Sequence, residues 1–300
     1  MPEAPPASPG KAAVFLQRLG STLALWGVIA VAVWTGHPWL FFAVISGLGA
    51  LGLVEWCALF GKTTLPPGWR AWLYLNGAAY AALVAWQGRA AGAGGLGLPE
   101  AIVLPLLFFG LFAFTLARPL EGRETLWRVF AALAGFIYVA FLFSFSWRLL
   151  LLPAWDGRAA LPGMFYLLFV IAVTKFTDMG AYFIGMLFGK KKMIPHISPG
   201  KTWAGLGGAF LGAFVAAHGM VALFAEKMPL LHHGHAAVLA LVLGAVTVVA
   251  DLAESVLKRC LEAKDSGHLL PGIGGVLDLI DSLLFTAPLA WLYFHWLAAA

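Results

Sequence analysis

Apolar residues run along this 300-residue chain in long blocks, separated by short polar or Gly- and Pro-rich breaks. A bilayer core about 30 Å thick needs about 20 apolar residues per helical crossing. By that measure about nine blocks read as spans. They are Val14–Trp34, Trp39–Phe60, Ala71–Gln87, Ala101–Ala117, Val129–Leu152, Gly163–Phe188, Trp203–Ala225, His235–Leu257 and Asp281–Trp296. The third and fourth are the shortest. Turn residues divide them: Gly36-His37-Pro38, Pro66-Pro67-Gly68, the glycines of 91–97, and Pro153 with Pro162. Each span is expected to be helical, because an open strand edge in lipid leaves backbone groups unpaired.

This pattern predicts an all-α polytopic membrane protein in three parts. Residues 1–12 form a Pro-rich flexible tail, 13–160 the N-terminal transmembrane helices, and 161–300 a C-terminal transmembrane region that carries the chemistry. The first apolar block runs on without a small-residue cleavage site, so it reads as a retained helix.

Composition supports the pattern and removes other classes. Apolar residues are 61% of the chain and charged residues only 11%, where soluble domains carry about 25%. So few charges cannot cover a soluble globule, and a disordered chain needs the opposite balance. Two cysteines, Cys57 and Cys260, make neither a disulfide framework nor a zinc knuckle. Of nineteen Lys and Arg residues, fourteen fall on the side of the N-terminus, four on the other, and Lys175 lies within a span. That bias places the N-terminus in the cytoplasm and explains the net charge of +5 without any nucleic-acid partner.

The remaining charge is not spread evenly. Nine of the charged residues sit between Asp251 and Asp281. Asp251, Glu254, Ser255, Lys258 and Glu262 share one helical face. Lys264-Asp265, a Gly/Pro turn, and Asp278 with Asp281 follow. Hard carboxylate oxygens beside cations suit Mg²⁺ and a phosphorylated substrate. Upstream, Lys175 and Asp178 share a face in the sixth span, and charge at membrane depth marks a site more often than not. The loop after that span holds Lys190-Lys191-Lys192 and Ser198-Pro199-Gly200-Lys201-Thr202. It is no Walker A loop, since Pro195 stands where the first glycine is required.

Together these residues point to metal-assisted phosphoryl or nucleotidyl transfer on a lipidic substrate. A phosphoglycosyl or nucleotidyl transferase acting on another lipid phosphate shares these features. A secondary transporter is a third reading, but it predicts broken helices in matching halves, whereas the charges here crowd into one region. Three other features read as structural. His232-His233-Gly234-His235 lies in a loop on the opposite face, Glu55 has only snorkelling Arg18 or Lys62 for partners, and Trp34, Trp39, Trp69, Trp147, Trp203 and Trp296 read as interfacial anchors.

Both charged segments resemble the phosphatidate cytidylyltransferase (CDP-diacylglycerol synthase) family. The downstream family pattern is S-x-apolar-K-R, four residues, K-D, a Gly/Leu/Pro turn, H-G-G and D-R-x-D. Here it reads Ser255-Val256-Leu257-Lys258-Arg259, Lys264-Asp265, Gly267, Leu270-Pro271, Ile273-Gly274-Gly275 and Asp278-Leu279-Ile280-Asp281. Ile273 replaces His and Leu279 replaces Arg. Upstream, Thr177-Asp178-Met179-Gly180-Ala181-Tyr182 and Ser198-Pro199-Gly200-Lys201-Thr202-Trp203-Ala204-Gly205 follow T-D-x-x-A-Y and S-P-K-K-T-W-E-G, with Gly200 for Lys and Ala204 for Glu.

The resemblance covers roughly residues 175–285 strongly, and the N-terminal half only as a hydrophobic bundle. It implies CTP plus phosphatidate giving CDP-diacylglycerol and pyrophosphate, at the cytoplasmic face of a bacterial inner membrane. It implies Mg²⁺, with room for a second monovalent or divalent cation, and a homodimer. Residue by residue it implies metal ligation by Asp251, Asp265, Asp278 and Asp281, and catalytic roles for Asp251, Asp265, Lys258 and Lys264. Asp178, Ser198, Lys201, Thr202, Ser255, Arg259, Gly274 and Gly275 would hold substrate.

Overall fold

A computed structural model describes residues 38–91, 96–152, 162–263, 265–267, 269 and 274–299, with residues 20, 27–32 and 34–35 nearer the N-terminus. The tail, most of the first expected span, Lys264, His268 and Ile273 lie outside the described residues.

Among the described residues, eight long helices carry the fold. They are α1 (Pro38–Leu59), α2 (Pro67–Ala91), α3 (Leu98–Leu116), α4 (Arg123–Leu150), α5 (Pro162–Phe188), α6 (Trp203–Phe224), α7 (His233–Cys260) and α8 (Val276–Ala299). Among the described residues, seven helices are long and apolar enough to cross a membrane. Helix α2 is long enough at 25 residues but is not among the seven. It contains the expected third span and extends it at both ends, through Arg70 and Arg89. The chain is an all-α polytopic membrane protein. Its one described sheet is a hairpin between α5 and α6, pairing β1 (Lys192–Ile194) antiparallel with β2 (Ser198–Thr202).

Local chemistry fixes the helix ends that matter. Thr202 caps α6, its hydroxyl accepting the Gly205 N–H at 3.0 Å. His232 caps α7 through Nδ1, which accepts from the Gly234 and His235 N–H groups. Helix α4 changes to π geometry over Phe136–Phe141 and then resumes, which lets one helix present a long, largely buried face to several neighbours.

Small residues set the closest approach in the bundle. A Cβ on Gly180 would strike the Gly208 carbonyl, one on Gly208 would strike Gly180 and Ile184, and one on Gly212 would strike the Phe176 carbonyl. Gly208 and Gly212 form a G-x-x-x-G pair on α6. In lipid, close backbone packing replaces the hydrophobic effect as the force joining helices. This contact holds the charged end of α5 beside the start of α6. Helix α8 is the central element and packs against α1, α4, α5 and α7.

Two of the six tryptophans depart from the expected anchoring role. Trp69 and Trp147 are buried, packed against Phe114 and Phe42. Trp34, Trp203 and Trp296 are exposed, as anchors would be.

Candidate active site

The end of α5, the hairpin and start of α6, the end of α7 and the start of α8 meet at one end of the bundle. A cavity of about 580 Å³ opens there. Asp178, Lys201, Thr202, Asp251, Asp278 and Asp281 all line it, as do Lys192 and Tyr182. Two charged segments far apart in sequence are therefore joined in one site, because α5 and α6 pack on α7 and α8.

Three carboxylates form its centre. Oxygens of Asp251, Glu254 and Asp281 lie within 4.8 Å of one another. Asp251 and Glu254 are spaced i, i+3 on α7, so one helical face presents both. Asp281 enters from the second turn of α8. Glu254 is 1% exposed, and its Oε1 is buried with no hydrogen-bond partner among the described residues. Converging carboxylate oxygens of this kind repel each other unless a cation or a shared proton lies among them.

Two lysines only partly offset that charge. Lys201 pairs with Asp251 at 2.7 Å and also donates to the Val248 carbonyl at 3.0 Å. Lys258 bridges Glu254 at 2.7 Å and Asp278 at 2.8 Å. Lys175 donates to the Leu279 carbonyl at 2.8 Å, tying α5 to α8. These three cations are engaged, and with Lys192 at the cavity wall four lysines face five carboxylates: Asp178, Asp251, Glu254, Asp278 and Asp281.

Asp278 adjoins the triad through Lys258, which it shares with Glu254. Its carboxylate accepts from Lys258, from the Gly275 N–H at 2.8 Å and from the Ser266 N–H at 3.2–3.3 Å. It is thus largely satisfied by protein, whereas the triad is not.

The donor set suits a hard divalent cation. It is all oxygen, anionic and compact, which matches Mg²⁺ better than a softer metal. The orphaned Glu254 Oε1 gives an independent reason to expect a cation there.

The structure brings some expected site residues together and leaves others apart. Gly274 and Gly275 form the turn into α8, and Gly274 has φ +119°, which favours glycine. Ser198 and Ser255 are half-buried, while Arg259 and Asp265 are exposed; none of these four lines the cavity. Lys264 lies outside the described residues. Glu254 received no role from sequence, although its i, i+3 spacing from Asp251 was the signal available. Glu55 has partners that the sequence did not name: its carboxylate accepts the Leu277 N–H at 2.8 Å, while Arg18 and the side chain of Lys62 lie outside the described residues. The His232–His235 loop is at the far end of the bundle, where His235 meets Tyr293 and His233 meets His218.

Comparison with known proteins agrees with this geometry. A family model described as the cytidylyltransferase family matches residues 16–297. The chain is 31% identical over 279 residues to YnbB, an uncharacterized protein of Escherichia coli K12, covering 90% of this chain and 85% of that one. It is 40% identical over 136 residues to the phosphatidate cytidylyltransferase of Haemophilus influenzae, covering 44% of this chain and 46% of that protein. For the phosphatidate cytidylyltransferase of Brucella suis the identity is 45% over 132 residues, covering 44% and 47%. The matched region thus spans just under half the length of these two enzymes. The family match is nearly chain-long and takes in every helix around the carboxylate cavity, so the chain belongs to the cytidylyltransferase family.

Proposed function

We propose that this nucleotidyltransferase joins CTP to phosphatidate, giving CDP-diacylglycerol and pyrophosphate at the cytoplasmic face of a bacterial inner membrane. One observation carries the reading. A cavity inside a bundle of apolar helices is lined by two members of a compact carboxylate triad, Asp251 and Asp281, and by two cationic side chains, Lys192 and Lys201. Such a site serves a substrate that is both phosphorylated and lipidic.

In this reading Asp251, Glu254 and Asp281 hold Mg²⁺, and Asp278 fixes Lys258 rather than the metal. Mg²⁺ bound there supplies neutralisation of the triphosphate and of the leaving pyrophosphate. Lys201, Thr202 and Lys192 receive nucleotide phosphates, and Asp178 orients Lys201 or the incoming ligand. Ser198, Ser255 and Arg259, in the same segments as the cavity residues, take further phosphate oxygens; Asp265 is outside the cavity lining and Lys264 outside the described residues. A phosphatidate oxygen, already ionised at pH 7, attacks the α-phosphorus of CTP. A new P–O bond forms as the bond to the bridging oxygen breaks, and pyrophosphate leaves. No general base is required.

A second reading has one observation in its favour. Similarity to YnbB runs nearly the whole chain, whereas similarity to the two phosphatidate cytidylyltransferases stops short of half. The same chemistry on a different lipid phosphate accounts for that pattern. Purified protein supplied with labelled CTP and a panel of lipid phosphates separates the two. Pyrophosphate release with phosphatidate supports the first reading, and release only with another lipid phosphate supports the second.

A further inference from the structure

Glu55 is an acid in the last two turns of α1, within an otherwise apolar helix, and it is 2% exposed. It lies 222 residues from Leu277 in sequence, yet its Oε2 accepts the Leu277 N–H at 2.8 Å and faces the Ser266 hydroxyl at 3.4 Å. The reason lies in the helix that follows. Val276 begins α8, so its N-cap position is Gly275, which has no side chain to accept an N–H. The first turn of a helix leaves N–H groups that need acceptors.

Those acceptors come from elsewhere. Asp278 accepts the Gly275 N–H at 2.8 Å, as the third residue of a capping box does. Ser266 Oγ accepts the Asp278 N–H at 3.2 Å, the place a serine N-cap would fill. Glu55 takes the Leu277 N–H between them. The geometry explains the glycine: a Cβ on Gly275 would strike Ser266 Oγ and Glu55 Oε2, and one on Gly267 would strike Glu55 Oε1. Close packing of two glycines around one carboxylate makes this cap specific. A carboxylate at a helix N-terminus is also favoured by the helix dipole.

We propose that Glu55 is a positioning residue for the metal centre. It fixes the first turn of α8, and Asp281 follows Leu277 by one turn on that helix. The N-terminal half of the chain therefore contributes a side chain to the C-terminal site. This inference rests on the assignment of the Asp251–Glu254–Asp281 triad to a divalent cation. It does not depend on which lipid phosphate is the acceptor.

The test is Mn²⁺ binding to the full-length protein in detergent, followed by electron paramagnetic resonance without nucleotide or lipid. Glu55→Ala removes the acceptor, Glu55→Gln keeps an oxygen for the Leu277 N–H, and Ser266→Ala removes the companion cap. Thermal unfolding is measured on each. Partners of metal ligands typically change affinity about 10–100-fold, and Glu55→Ala is expected to weaken Mn²⁺ binding within that range. Glu55→Gln should stay closer to wild type than to Glu55→Ala, and Ser266→Ala should weaken binding in the same direction. If Glu55→Ala does not fold, the Gln and Ser266→Ala variants carry the test. Unchanged affinity in Glu55→Ala, or in Ser266→Ala where Glu55→Ala does not fold, overturns the proposal. So does an equal loss in Ala and Gln, or a loss of binding-competent protein at unchanged affinity. Wild-type protein that binds no Mn²⁺ overturns it as well. Wild type that binds Mn²⁺ but turns over no CTP with phosphatidate instead counts against the substrate assignment alone.

Discussion

Two charge clusters lie inside this bundle, at opposite ends, and they are built on opposite terms. At the end away from the cavity, Arg148 pairs with Glu100, and the two are bound into Tyr80 and Ser144. Arg148 is fully buried. The second Glu100 oxygen accepts the Gly97 N–H at 2.7 Å, so this one carboxylate caps α3 and neutralises one guanidinium. At the cavity end, five carboxylates meet four lysines, Lys175, Lys192, Lys201 and Lys258, and a buried Glu254 oxygen lacks any partner among the described residues. The first cluster is balanced, one guanidinium to one carboxylate. The second carries excess negative charge beside a cavity. Charge at membrane depth is therefore not a functional signal by itself; surplus charge next to open space is.

The contrast predicts different failures at the two ends. The largest effect belongs to the triad. Asp281→Asn and Glu254→Gln should each reduce Mg²⁺-dependent turnover by more than the roughly 10–100-fold expected of a residue that only supports a ligand. The protein should stay folded, because removing surplus like charge relieves repulsion. A variant that unfolds rather than losing turnover would place the triad with the balanced cluster.

Next comes the balanced pair. Arg148→Met leaves the half-buried Glu100 without its guanidinium, and breaking a buried pair costs about 3–5 kcal/mol. Denaturation should show a clear loss of stability, with turnover per folded molecule close to wild type. Pairing Arg148→Met with Glu100→Gln should restore most of that stability. A double variant no more stable than the single would mean the cluster is not a self-contained pair.

A smaller effect is expected where helices touch without charge. Gly208→Ala puts a methyl against the Gly180 carbonyl and Ile184, and overpacking of this kind costs about 1–3 kcal/mol. Lower thermal stability should accompany reduced turnover, because this contact holds the Asp178 end of α5 beside Lys201. The smallest effect is at the far histidines. His233→Ala should leave CTP turnover within measurement error of wild type, since the His218–His233 contact is at the end opposite the cavity.

Much of this was legible in the sequence, for local reasons. Apolar blocks of bilayer length are set by neighbouring residues, and so is the i, i+3 spacing that puts Asp251 and Glu254 on one face. Motifs of a single family tie the two charged segments together, and the fold lines one cavity with both. Glu55 was not legible. Its partners are backbone N–H and hydroxyl groups more than 200 residues away, and they need a side chain from outside only because Gly275 supplies none. Trp69 and Trp147 misled for a related reason. Aromatic residues near span ends look alike whether they face headgroups or neighbouring helices, and only packing separates the two. Asp265 shows the limit of motif reading from the other side. It sits beside Lys258 and Asp278 in the sequence pattern, yet it is exposed and outside the cavity lining, while Glu254 fills the triad.

The central claim is that the triad cavity transfers a cytidylyl group from CTP to a lipid phosphate. The most direct measurement follows purified full-length protein in mixed detergent–lipid micelles with α-labelled CTP and phosphatidate, with and without Mg²⁺. The account predicts labelled CDP-diacylglycerol and equimolar pyrophosphate with Mg²⁺, and neither with chelator or with Asp281→Asn. Equal product formation by wild type and Asp281→Asn, or no product from wild type with phosphatidate or any other lipid phosphate, would contradict it.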